Sequence, residues 1–291
     1  MSHSTDQHTN PVPGATVFIA ASETDSNLYY ATKFIAPDPF IYLEVKGERL
    51  MIMSDLEVDR ARHQATVDRV VSYSELERRA KAQGVKDPGN IDVIHLVLQD
   101  AGVRDILVPP TFPFLHAQRL QELGYRLRTK RDPFYESRVV KSDEEVRHIE
   151  AAQRATEKAV AAAHESLRRA EIRDNVLWLD GQVLTSERVK KLINVALMEC
   201  DCVAQHTIVA GGEQACDPHD EGSGPLPAHR SIIFDVFPRS ADSRYFADMS
   251  RTVVRGQPSP ELKKLYQTVK DAQEEAITKI RDGADGAVIH Q

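Results

Sequence analysis

The sequence predicts an α/β domain followed by an α+β unit, and three observations lead there. From about Thr16 to about Tyr135, short apolar strands alternate with amphipathic helices, the pattern of a mixed sheet covered by helices. Near Val140 the alternation stops and a long helix begins, opened by Ser142 and Glu145 in the S-x-x-E spacing of a capping box. Further on, the runs IIFDVF and RYFADMSRTVV flank a polar turn, RSADSR, and each carries one aspartate, Asp235 and Asp248, among bulky apolar neighbours. A chain of 291 residues has room for two domains. The expected boundaries are a disordered, polar, Pro-containing tail at 1–15, a first domain at 16–138 and a second at 139–291.

In the first domain VFIAAS, FIYLEV and RLMIMS read as strands, with Lys46-Gly47-Glu48 as a hairpin turn between the last two. SDLEVDRARHQA follows as a helix and DRVVSY as a strand. NIDVIHLVLQDAG, DILVPP and FPFLHAQRLQELG then read as helix, strand and helix. No glycine-rich phosphate loop follows any of these strands, so nucleotide binding has no support.

In the second domain the capped helix runs to about Ala170, with Val146, Ile149, Val160, Ala163 and Leu167 on one stripe. A segment with the single Trp178 turns at Asp180-Gly181. Ser186 to Glu199 is a helix, with Val189, Leu192, Ile193, Ala196 and Leu197 as its apolar face. QHTIVAG reads as a strand, followed by a Gly/Pro-rich loop and then the two aspartate runs as a hairpin. Ser259-Pro260-Glu261 starts a third helix with an N-cap and a proline in the first turn. Leu262, Leu265, Tyr266, Val269, Ala276 and Ile280 are expected as its buried face, with Gly283 ending it.

Composition narrows the function. The apolar share is 41%, the charged share 28% and the formal net charge −7, with both signs interspersed. That pattern points to neither a nucleic-acid nor a membrane partner. No apolar run approaches a membrane span, and the first residues lack a signal peptide's basic start and apolar core, so a cytoplasmic location is expected. Three cysteines make no disulfide framework.

A carboxylate buried alone costs several kcal/mol. In a hairpin turning on Ala241 and Asp242, Asp235 and Asp248 stand directly opposite each other, with Cβ atoms roughly 4.5–5.5 Å apart. Carboxylates that close repel unless a cation lies between them. Two metal ions roughly 3.5–4 Å apart suit such a pair. Alternatively Arg239, Arg244 and Arg251 satisfy the acids. A one-residue slip in register would send the two to opposite faces. The preceding loop holds His219, placed after Pro218, and His229, which reads as a surface histidine.

The segments IVAGG, DPH and SIIFDVFPRSADSRYFADMSRTVVRG together resemble the metal-binding region of the M24 metallopeptidases, the aminopeptidase P, prolidase and creatinase relatives. Pro218-His219, Asp235 and Asp248-Met249-Ser250-Arg251-Thr252 occur in that family's order. SNLYYATKF and PDPFIYLE resemble the N-terminal domain of prolidase and aminopeptidase P, and VKSDEEVRHIEAA their linker helix. The resemblance implies a creatinase/prolidase-like α/β domain followed by the first half of a pita-bread catalytic domain.

It also implies a metal-dependent Xaa-Pro peptidase that hydrolyses the bond before proline in a peptide substrate. Asp235 would chelate one of two divalent metal ions and Asp248 would bridge both. His219 would sit by the substrate, and Arg251 would orient a ligand carboxylate. Oxygen-rich ligation implies Mn²⁺, with Co²⁺ or Zn²⁺ as alternatives. The full-length relatives imply a homodimer. Phe237, where the family often has Gly, and Asp220, where it often has Tyr, depart from the pattern and bear on substrate fit. The family's remaining His and two Glu ligands find no match after Arg251, so the 291 residues are expected to be a truncated and inactive form. His290, in the tail, does not match the metal histidine.

Two rival functions compete. One is a zinc module built from Cys200, Cys202, His206, Cys216 and His219. The other is a non-catalytic pita-bread module that binds peptide or protein.

Overall fold

The computed structural model describes residues 14–291, which divide into two compact units, one ending at Val140 and one spanning Lys141–Gln291. The expected tail at 1–15 lies outside the described residues as far as position 13. Ala15 already belongs to the first strand.

The first unit holds β1 (Ala15–Ala20), α1 (Ser26–Thr32), β2 (Phe40–Val45), β3 (Glu48–Met53), α2 (Val58–Gln64), β4 (Arg69–Ser72), α3 (Tyr73–Ala82), α4 (Asn90–Asp100), β5 (Asp105–Val108), α5 (Phe114–Glu122) and β6 (Arg126–Thr129). Its six-stranded mixed sheet has the order β4-β3-β2-β1-β5-β6. Only β2 runs against its neighbours. The β2–β3 turn has two residues, Lys46 (φ 53°) and Gly47 (φ 86°), and a loop this short needs positive φ at both positions.

Alternation along the strands splits the core into two layers. Val17, Leu43, Ile52 and Ile106 pack with Leu76, Ile94, Leu98 and Leu120 from α3, α4 and α5. Phe18, Tyr42, Met51 and Met53 pack with Leu28, Val58 and Ala61 from α1 and α2. Burial, reinforced by the charge of Glu44, pushes the Tyr42 hydroxyl up to about 12.

Helices α1 and α3 and strand β6 were not expected. α3 begins on the residue after β4 ends. Its cap is Ser72, the last strand residue, whose Oγ accepts from the Glu75 N–H at 3.4 Å. Reading DRVVSY as strand absorbed the cap and hid the helix behind it.

The second unit holds α6 (Asp143–Arg169), β7 (Glu171–Arg173), β8 (Val176–Leu179), β9 (Gln182–Val183), α7 (Ser186–Met198), β10 (Cys202–Val203), β11 (Ile208–Gly211), β12 (Ile232–Val236), β13 (Arg239–Ser240), β14 (Met249–Val253), α8 (Pro260–Lys279) and α9 (Gly286–His290). The capping box is formed on both sides: Ser142 Oγ accepts from the Glu145 N–H at 3.3 Å, and Glu145 Oε2 accepts from the Ser142 N–H at 2.8 Å. Tyr245 donates to the other Glu145 oxygen at 2.8 Å. One core joins Ala159, Ala163 and Leu167 of α6, Val189, Ile193 and Leu197 of α7, and Ile232, Phe234 and Val236 of β12.

Two expectations about apolar faces need correction. Val146 of α6 and Leu192 of α7 lie exposed. More substantially, α8 has its cap, with Ser259 Oγ accepting from the Leu262 N–H at 3.2 Å, but it buries none of its residues. Leu265, Tyr266, Val269 and Ile280 are exposed, and Leu262 and Ala276 only half-buried. The stripe is present in the helix, but no described element covers it.

Candidate functional site

The order β11-β12-β14 makes a small antiparallel sheet with β12 in the middle. Ile232, Phe234 and Val236 point into the core and are fully buried, so Ile233 and Asp235 project from the other face. On β11, Ile208 stands opposite Asp235 and Ala210 opposite Ile233. On β14, Ser250 stands opposite Asp235 and Thr252 opposite Ile233. These six residues floor a hollow of about 320 Å³, walled by Ala215, Asp217 and Pro218 of the preceding loop.

The pairing differs from the expected one. Ser250, not Asp248, faces Asp235, and the Ser250 hydroxyl donates to Asp235 Oδ1 at 2.6 Å. The hairpin turns one residue later than expected. Arg239 bridges Phe246, Ser240 N–H bonds Tyr245 O, and Arg244 takes a left-handed φ of 65°. Moving a turn by one residue moves the register by two, which preserves the face. Asp248 therefore lies diagonal to Asp235 on the same side of the sheet. The two carboxyls sense each other: partial burial and then the Asp235 charge push the Asp248 carboxyl above its ordinary range. Among the described residues no arginine or lysine bonds either carboxylate, so the alternative in which arginines satisfy the acids does not hold.

The loop is locally ordered by two aspartates. Asp217 Oδ1 accepts from the His219 N–H at 3.0 Å, and Asp220 Oδ1 accepts from the Gly222 N–H at 2.8 Å. Gly222 has φ 78°, and a Cβ there would stand 1.9 Å from the Val209 carbonyl oxygen. Only glycine allows the loop to close onto the edge of β11, where Glu221 O accepts from the Val209 N–H. Asp220, expected to bear on substrate fit, therefore shapes the loop. His219 is exposed at the mouth of the loop, and its neighbour Pro218, not its own ring, touches the hollow.

Arg251 lies opposite the buried Phe234, on the other face of the sheet from Asp235, and donates to the Ser250 carbonyl oxygen at 2.8 Å. His229, expected as a surface histidine, is half-buried and structural, since its Nδ1 accepts from the Gln257 N–H at 2.9 Å.

The zinc grouping does not assemble. Cys202 is buried on β10, and burial pushes its thiol up. Cys200 has Lys158 Nζ at 3.7 Å, Cys216 is exposed, and His206 Nδ1 pairs with Glu221 at 2.7 Å. Among the described residues, no three His, Cys, Asp or Glu side chains come close enough to hold a metal ion. Asp235 and Asp248 offer hard oxygen donors on one face, suited to a divalent cation. Two carboxylates alone do not complete a pair of metal sites, so the residues present do not by themselves fit that group.

Three site contributors were missed: Ser250, Thr252 and Asp217. The first two were legible, because period two in ADMSRT places residues 248, 250 and 252 on one face.

The β12–β14 hairpin thus sets Asp235 in the floor of the hollow, with Asp248 on the same face of the sheet. The model of metallopeptidase family M24 matches residues 147–291, nearly all of the second unit, and the chain belongs to that family. The chain is 24% identical over 267 residues to an uncharacterized peptidase of Staphylococcus saprophyticus, covering 89% of this chain and 68% of that protein. It is 23% identical over 262 residues to the Xaa-Pro dipeptidase of Pyrococcus horikoshii, covering 88% and 65%. It thus spans about two thirds of the length of these relatives.

Among solved structures, the Xaa-Pro dipeptidase from Bacillus anthracis aligns with a TM-score of 0.76 at 17% identity, covering 95% of this chain and 70% of that one. The X-Pro aminopeptidase from Thermotoga maritima aligns at 0.73 and 21% identity, covering 95% and 72%. The fold is the prolidase and aminopeptidase P-like one, with the pita-bread architecture in the second unit.

Proposed function

We propose that the chain carries part of the active site of a metal-dependent Xaa-Pro peptidase, of aminopeptidase P or prolidase type, acting on the bond before proline. The observation that supports this most is the placement of Asp235 and Asp248 on one open face, where among the described residues no cationic side chain bonds them and Asp235 floors a hollow of about 320 Å³. The two aspartates are the donors this chain gives to a pair of divalent ions, with Mn²⁺ the first candidate and Co²⁺ or Zn²⁺ next. Ser250 holds Asp235 through Oδ1, leaving Oδ2 for a ligand. Arg251 acts on this pair through the Ser250 backbone. His219, on the wall loop, stands beside the substrate. A cytoplasmic location and a homodimer belong to the same reading.

Because no third donor joins the two aspartates among the described residues, the 291-residue chain binds Mn²⁺ weakly and does not cleave Xaa-Pro peptides. The test is Mn²⁺ titration calorimetry on the chain and on Asp235→Asn and Asp248→Asn, with assays on Xaa-Pro dipeptides and tripeptides. Weak binding abolished by either substitution, without turnover, supports the reading. Turnover by the purified chain overturns its inactivity, and Mn²⁺ binding unchanged by both substitutions overturns the site. The missing third donor also favours a second reading, a metal-independent peptide-binding module. It predicts binding of proline-containing peptides that added Mn²⁺ does not alter.

A further inference from the structure

Cys200 and Cys202 follow the last turn of helix α7, one on each side of Asp201, in a C-x-C turn. The Cys200 and Asp201 N–H groups still bond the Leu197 and Met198 carbonyls, at 2.9 and 3.1 Å, and Asp201 takes a left-handed φ of 53°. A left-handed residue bends the chain, which sets the Cα atoms on either side of it roughly 5–6 Å apart, inside the ~4.4–6.8 Å span of a disulfide. The two sulfurs sense each other: burial and then charge on Cys200 push the Cys202 thiol up.

The two thiols have different surroundings. Cys202 is 4% exposed and belongs to the core of the second unit, whereas Cys200 is half-buried and within reach of solvent. Lys158 of α6 sets its ammonium 3.7 Å from the Cys200 sulfur, and among the described residues no carboxylate bridges that ammonium. A cation held there stabilises the negative charge with which a sulfur attacks an electrophile. The turn is also tied to the hairpin that carries the two aspartates. Cys202 pairs with Ser240 and Val203 with Arg239, and the Ala241 N–H donates to the Asp201 carbonyl at 2.8 Å. Strand β13 lies between Asp235 and Asp248 in the sequence.

We propose that Cys200 and Cys202 are a redox pair that hydroperoxides oxidise to a disulfide, and that closing this bond loosens β13 and with it the hairpin bearing Asp235 and Asp248. The Cys200 thiolate attacks one peroxide oxygen: an S–O bond forms, the O–O bond breaks, and hydroxide leaves and is protonated to water. Sulfur is oxidised to a sulfenic acid and the peroxide is reduced. The Cys202 sulfur then attacks the sulfenic sulfur. The S–S bond forms, the S–O bond breaks, and the hydroxyl leaves with the Cys202 proton as a second water. To reach Cys200, the Cys202 sulfur turns out of the core, which works against the pairing of Cys202 with Ser240. The chemistry involves no metal, so its test and that of the peptidase reading are separate.

The test treats the full 291-residue chain, in a Cys216→Ser background, with a small excess of hydrogen peroxide. The intact mass falls by two hydrogens, both remaining thiols are lost to alkylation, and a dithiol reductant restores them. In Cys202→Ala the reaction stops at the sulfenic acid of Cys200, which dimedone captures. Cys200→Ser, which leaves Cys202 in the core, forms neither product. Lys158 is exposed, so Lys158→Met slows oxidation at least about 5-fold without moving the thermal midpoint. Amide exchange across 239–247 quickens in the oxidised chain and not in Cys200→Ser treated alike. An unchanged mass, a bond formed only between two chains, or oxidation equally fast in Lys158→Met overturns the redox pair as drawn. A disulfide that leaves exchange across 239–247 unaltered overturns its link to the hairpin.

Discussion

Helix α7 buries Val189, Ile193, Ala196 and Leu197 in the core of the second unit, whereas α8 leaves Leu265, Tyr266, Val269 and Ile277 more than half exposed. Both begin with a hydroxyl cap, Thr185 and Ser259, and both carry apolar residues at helical spacing. The difference lies in what surrounds them. α7 is followed by β10 and β11, which close over it with β12 and α6. α8 is followed by a short turn and α9, whose Val288 is itself exposed. Periodicity identifies the side of a helix that favours cover; whether cover exists is a property of the elements around it.

The largest expected effect tests that contrast directly. Ile193→Ala and Ile277→Ala delete the same atoms from helix interiors, one 0% and the other 61% exposed. The first should cost about 2–5 kcal/mol in the urea unfolding of the second unit, from lost transfer free energy and a cavity. The second should stay within about 0.5 kcal/mol. Equal losses would mean that α8 is covered within its own chain, and the contrast would fail.

A second pair separates backbone strain from crowding. Gly222 and Gly283 have nearly the same left-handed φ, 78° and 77°, but Gly222 abuts the Val209 carbonyl and Gly283 faces open space. Gly283→Ala bears only the conformational penalty, about 1 kcal/mol. Gly222→Ala must also push the loop off the edge of β11, and should cost about 2 kcal/mol or more. Because that loop carries Asp217 and His219, the same substitution should raise amide exchange across 212–222. An unchanged exchange pattern would mean that the close approach is not what holds the loop.

Caps give a smaller contrast. Ser142→Ala removes the cap of α6, which is anchored in the core, and should lower global stability by about 1 kcal/mol. Ser259→Ala removes the same kind of cap from α8. There it should appear as faster exchange over the first turn of α8, with the global midpoint unmoved.

Much of this was legible beforehand, for reasons that differ by element. β2 was readable as a continuous apolar run ended by the Lys46-Gly47 turn, and α4 and α7 because each has apolar residues at helical spacing behind a turn or cap residue. α3 was not, because only Leu76 and Ala80 are buried and its cap doubles as the end of a strand. The site was half legible. Asp235 and Asp248 stood out as acids in apolar strands, and they do share a face. Their pairing was misjudged because Arg244 adopts a left-handed conformation in the turn, a placement that no residue type in RSADSR signals. Ser250 became visible as the partner of Asp235 only once the register was fixed. The role of Asp220 depended on Gly222 lying against a carbonyl thirteen residues earlier in the chain, a tertiary contact with no local signature.

The smallest expected effect concerns the site face itself, where charge replaces apolar cover as the unsatisfied term. Asp248 has its carboxyl raised by burial and then by Asp235, so the folded protein holds that proton more tightly than the unfolded chain does. Stability linked to this group is therefore fully present below the ordinary carboxylate range, and it declines as pH rises through the raised value. At neutral pH the ionised Asp248 is a net cost, small because the side chain is exposed and solvent screens it. Asp248→Asn should raise the melting temperature at neutral pH by about 1 °C, and the gain should vanish near about pH 3, where both forms are uncharged. A loss of stability at neutral pH would mean that Asp248 makes a favourable contact in the fold, and a gain that persists in acid would mean that charge is not its origin. The expected pattern, a gain confined to the ionised range, is what a carboxylate retained at a cost to the fold would show.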